Sequence, residues 1–157
     1  MEQPKVIHST FVVERSFPKP PETVFAAFAD PAKARKWYAE GEGHDLEEFT
    51  SDFRVGGKQT LRYRLGPNTP VAGMVINNQV HYHEIQPNRR IVTAGTMDLE
   101  DKRILASQVT VELLPNGAGT DLILTNQGVF LEGGLTPEML EAGWRGLLEK
   151  LATELGG

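Results

Sequence analysis

No cysteine occurs among the 157 residues, which excludes disulfides, thiolate nucleophiles and every metal site that needs a thiolate. No apolar run approaches the roughly 18 residues of a membrane-spanning helix. The opening MEQPKVIHST has no basic start leading into an apolar core, so no secretory leader is expected there. A basic excess is missing too: 16 Lys and Arg against 21 Asp and Glu leave a net charge of −5. That balance opposes binding to nucleic acid or to an anionic membrane. The short basic runs Lys33-Ala34-Arg35-Lys36 and Arg89-Arg90 read as solvated charge. Repeats, low-complexity tracts and linkers are absent, so residues 1–157 are expected to form one domain, and a cytoplasmic one. No Gly-x-Ser-x-Gly elbow or phosphate loop is present, and Asn116-Gly117-Ala118-Gly119 reads as a hairpin turn with no helix after it.

What is present is a clear order of elements. Ser9 to Phe17 is rich in β-formers and stops at Pro18, predicting a strand. Pro20-Pro21 opens a helix whose Val24, Phe25 and Phe28 share one stripe, and Asp30-Pro31 caps a second short helix running to Trp37-Tyr38. From Leu46 to Gln127 the pattern is that of an antiparallel meander. Its strands are Leu46 to Arg54, Lys58 to Leu65, Val71 to Ile85, Ile91 to Met97, Arg103 to Leu114 and Thr120 to Gln127. Thr136 then caps a long helix with Pro137 in its first position. Leu140, Trp144, Leu147, Leu148, Leu151 and Leu155 form its apolar stripe. Gly143 and Gly146 lower the stability of that helix and suggest close packing or space beside it.

Several local motifs carry a family resemblance. They are Pro20-Pro21-Glu22-Thr23-Val24-Phe25, Asp30-Pro31 followed by Trp37, Asp52-Phe53-Arg54-Val55-Gly56-Gly57, and Glu84-Ile85-Gln86-Pro87 with Arg90-Ile91-Val92. Val109 to Leu113 before Gly119-Thr120, and Gly143-Trp144 leading Leu147, Leu148 and Leu151, complete the set. In this order they resemble the START-like superfamily (SRPBCC, or Bet v 1-like), and within it the C-terminal domain of the heat-shock-protein-90 ATPase activator. The resemblance covers about Phe11 to Leu155. It implies an α+β helix-grip fold in which a curved antiparallel sheet (β-αα-ββββββ-α) wraps a long C-terminal helix around an internal cavity. Members of the superfamily commonly accept hydrophobic small molecules there, and are often monomers or homodimers.

Candidate site residues follow from alternation and from that implied cavity. Counting from Leu61 turns Gln59 and Tyr63 inward, and counting from Leu122 and Leu124 turns Asn126 inward. Trp37, Phe53, Tyr63, Phe130, Trp144 and Leu148 are expected to form an apolar wall, with His81, His83 and Asn126 as polar contacts. Thr93 and Gly95 are small and should leave room. In Val80-His81-Tyr82-His83-Glu84-Ile85 the two imidazoles share the face of Gln79 and Ile85; if that face is the inner one, both look into the cavity while Glu84 looks away. A zinc site needs three or four ligands, and this pair supplies two. A third would have to come from His8, at an expected loose end, from His44, or from a distant carboxylate. Neither a metal nor another cofactor is therefore expected.

Three functions compete on these residues. The first is binding of a small hydrophobic or aromatic molecule, with no catalytic residue assigned. The second is a cavity enzyme of cyclase, hydrolase or dehydratase type using His83 and Tyr63 as acid and base. The third is a chaperone or protein-partner role, for which the resemblance covers only the domain's fold.

Overall fold

The structure, a computed structural model, describes residues 5–156; the first four residues of the opening segment lie outside the described residues. Seven strands form one antiparallel sheet: β1 (Ile7–Phe17), β2 (His44–Ser51), β3 (Lys58–Leu65), β4 (Val75–Gln86), β5 (Arg90–Leu99), β6 (Lys102–Asn116) and β7 (Gly119–Phe130). Their spatial order is β1-β7-β6-β5-β4-β3-β2. Thus β2 to β7 form a meander, and β1 closes the other edge against β7. Two helical pieces bridge the sheet's ends: α1 (Pro21–Ala29), and α2 (Pro31–Ala34) running into a π-helical turn, Arg35–Ala39. The chain finishes with α3 (Pro137–Glu154).

The caps behave as their chemistry demands. Asp30 accepts from the Ala32 amide at 2.9 Å, and Thr136 Oγ1 accepts from the Met139 amide at 3.1 Å. The hairpin between β6 and β7 turns on Gly117, whose φ of +59 suits glycine. Two sequence expectations shift. Residues 71–74 form turns, and the strand begins at Val75, because the Gly66-Pro67 loop continues through Gly73 at φ +81. His8 is no loose end: it pairs with Val129 in β1.

The main core lies where α3 meets β1 and β7. Val13, Leu122, Leu124, Leu148 and Leu151 are buried there beside Val24 and Trp37, each burial contributing roughly 1.5–3 kcal/mol. A second, smaller cluster joins Ile76, Ile104, Leu105 and Phe130. Between the two, the concave face of the sheet is left unfilled. No helix among the described residues is long and apolar enough to cross a membrane.

Candidate functional site

The unfilled region is a cavity of about 340 Å³ between the inner face of β3–β6, with Asn126 of β7, and the stretch of α3 from Leu140 to Lys150. That volume falls at the small end of the roughly 300–1,000 Å³ usual for ligand pockets. Its floor is Val80, Thr93, Gly95, Ser107 and Val109, all short side chains. Thr93 and Ser107 leave space directly. Gly95 acts differently: a Cβ there would meet Gln79 O at 2.2 Å, so glycine is what lets β4 approach β5 so closely at that row.

The walls are aromatic. The π-turn ends the second helix with an extra residue per turn, the Glu40 amide reaching Arg35 O at 2.9 Å. It buries Trp37 and lays Tyr38 over the cavity. Trp37 is held by its indole N–H, which donates at 2.9 Å to Ala27 O, an end carbonyl of α1. Tyr38 sits 6.1 Å from Trp144 and 5.7 Å from Trp37 between ring centres. On the other side Phe53 packs edge-on against Tyr82 at 4.9 Å.

Polar groups are few. Asn126 is 1 % exposed, and neither its amide nitrogen nor its oxygen has a partner; Asn78 Oδ1 is also unpaired. Tyr82 donates to Gln59 Oε1 at 2.8 Å while its oxygen lies 3.1 Å from Ser51 Oγ, so the phenol's hydrogen-bonding capacity is met within the protein. His44 Nε2 donates to Ala39 O at 2.9 Å, and its ring packs at a tilt against Tyr63, 4.7 Å between ring centres. Burial is the main force raising the phenol pKa values of Tyr38, Tyr63 and Tyr82 above the ordinary range. These rings therefore stay neutral at physiological pH. Among the described residues no carboxylate lines the cavity, and no group of three or more His, Asp or Glu side chains is placed to hold a metal ion.

Of the residues singled out from sequence, Trp37, Phe53, Tyr63, Asn126 and Trp144 line this space, as do Gln59, Thr93 and Gly95. Four do not. His81 and His83 are exposed on the outer face, and Tyr82 between them is buried. The cause is a β-bulge: Tyr82 pairs with Thr93 but Glu84 with Val92, making His83 an extra residue. Ile76, Asn78, Val80 and Tyr82 point inward, and the bulge resets the phase so that Ile85 also packs on the core. Ile85 was thus the wrong reference for the histidines, and His83 and Tyr63 are not brought together as an acid–base pair. Phe130 belongs to the second cluster, its ring closing over Gly128, and Leu148 to the main core on the side of the α3 stripe facing β1 and β7. Lining residues the sequence reading did not name as site residues include Tyr38, His44, Asn78, Tyr82 and Lys150. Lys150 stands three residues after Leu147 on the helix, a spacing that could have revealed it.

Comparison with known proteins places these features in a wider group. The family model described as activator of Hsp90 ATPase homolog 1-like protein matches residues 18–156. The Mll3558 protein from Rhizobium loti is 43% identical, with a TM-score of 0.85, over 95% of this chain and 98% of that one. An uncharacterised protein from Rhizobium leguminosarum is 32% identical, with a TM-score of 0.87, over 96% of each chain. Protein CV1439 from Chromobacterium violaceum is 28% identical, with a TM-score of 0.78, over 94% of this chain and 97% of that one. No curated protein matches the chain.

Proposed function

The chain belongs to the activator of Hsp90 ATPase homolog 1-like family, in the START-like superfamily, and from that premise we propose that it binds a small hydrophobic or aromatic molecule in the cavity. The observation that carries this reading is Asn126. A buried amide with both polar atoms unpaired costs roughly 1–3 kcal/mol for each unsatisfied group. Here it stands in the wall of a largely apolar space, with the unpaired Asn78 Oδ1 in the same wall. A ligand offering a donor and an acceptor would recover that cost, and the aromatic walls would hold its apolar body. Turnover has less support, because His83, the expected acid–base partner of Tyr63, lies on the outer face of the sheet and not in the cavity wall.

Native mass spectrometry of the protein purified from its own host tests this directly. A bound small molecule, released on denaturation and raising Tm in a concentration-dependent way on re-addition, is the expected result. Absence of any bound mass, together with no stabilisation by a panel of small aromatic compounds, would count against it.

A further inference from the structure

Resting on that reading of the cavity, we propose that its ligand is a small organic acid whose carboxylate lies at the mouth, against Lys150 and His44. Ionisable groups in the wall are one lysine, one histidine and three phenols, with no carboxylate among them. Any charge the wall contributes is therefore positive, and it is concentrated at one place. An ideal Cβ built on Gly41 would lie 3.0 Å from Lys150 Nζ and 3.1 Å from His44 Cε1. Both side chains thus converge on one point, kept open by the missing side chain of Gly41.

Among the described residues the lysine there has no ion-pair partner. Its ammonium group donates to the backbone oxygen of Glu40, which uses one of three donors. The Glu40 carboxylate is taken by Arg35 at 2.9 Å. Burial lowers the pKa of Lys150, and the fields of Glu40 and Glu154 only partly oppose this. A partly buried ammonium beside a largely apolar cavity gains from an anion that brings its own apolar body. His44 Nε2–H donates to Ala39 O, which turns Nδ1 away from that carbonyl; Nδ1 donates to a carboxylate only when it too carries a proton, so the ammonium of Lys150 is the main contact. The occupant is then oriented: ring or chain on Tyr38, Trp144 and the floor, carboxylate outward.

The test uses the neutral fluorophore N-phenyl-1-naphthylamine as reporter, displaced by 2-naphthylacetic acid or by its methyl ester at neutral pH. In the wild type the acid should displace the reporter at about tenfold lower concentration than the ester, as expected for one charge-assisted contact. Lys150→Met should bring the two within about twofold, whereas Lys150→Arg, which keeps the charge, should preserve most of the preference. Gly41→Asp, which places a competing carboxylate at the same point, should also abolish it. Gly41→Asp decides the matter if Lys150→Met fails to fold. Equal displacement by acid and ester in the wild type, or a preference that survives both Lys150→Met and Gly41→Asp, would overturn the proposal while leaving the cavity reading intact. If neither reporter nor competitors bind at all, the cavity reading itself fails, and this proposal with it.

Discussion

One sheet offers α3 two surfaces. Over β1 and the first half of β7 the inward residues include Val13, Leu122 and Leu124, and the helix meets them with Leu148 and Leu151, all 2 % exposed or less, before β7 reaches the cavity at Asn126. Over β3–β6 the inward residues include Thr93, Gly95, Ser107 and Asn78, and the helix offers Gly143, Trp144, Leu147 and Lys150. Backbone pairing continues across both. The difference lies in side-chain volume and polarity: the filled half anchors the helix, and the anchored helix holds the other half open. Curvature supplies the concavity, and residue choice decides which part of it is filled.

Substitutions can break that contrast in order of size. Leu124→Ala, in the filled half, should lower unfolding free energy by about 3–5 kcal/mol, measured by urea denaturation. A loss below about 1 kcal/mol would mean that the two halves do not differ as described. A pH series probes the open half next. Below about pH 10 the cavity tyrosines are neutral whether folded or unfolded and add no slope. Above it the unfolded chain ionises, while burial keeps Tyr38 and Tyr63 protonated in the native state. The native state then binds more protons, so stability falls with rising pH, by at most about 1.4 kcal/mol per pH unit for each tyrosine while its native phenol stays protonated. Tyr63→Phe should remove one tyrosine's share of that slope. Smaller still, Asn126→Leu should raise the stability of the ligand-free protein by about 1 kcal/mol, by removing the orphaned amide. The smallest effect belongs to the outer face. His81→Ala should change stability by less than about 0.5 kcal/mol and leave ligand-dependent stabilisation unaltered in a thermal-shift series.

The same contrast shows what was legible beforehand. Periodicity and caps announced the order of elements, because Asp30-Pro31 and Thr136-Pro137 act through local chemistry. Alternation from Leu61 and Leu122 correctly turned Tyr63 and Asn126 inward, since β3 and β7 keep their phase from those residues. It failed in β4 because nothing in Val80-His81-Tyr82-His83-Glu84-Ile85 marks the bulge: no glycine or proline stands there, and the irregularity is seen only in pairing with β5. Phe130 and Leu148 were sensible wall candidates by size and apolarity. Their actual clusters depend on which edge of the α3 stripe meets which strand, and spacing along one chain does not determine that. His44 and Lys150 were invisible as a pair for the same reason, being joined only across the mouth.

The central claim, that the open half is a ligand site rather than slack packing, is tested most directly by filling it. Calorimetric titration of N-phenyl-1-naphthylamine into wild type and Thr93→Trp should give saturable one-site binding to the first and none to the second, with the variant still folded by circular dichroism. Undiminished binding to folded Thr93→Trp would contradict the account.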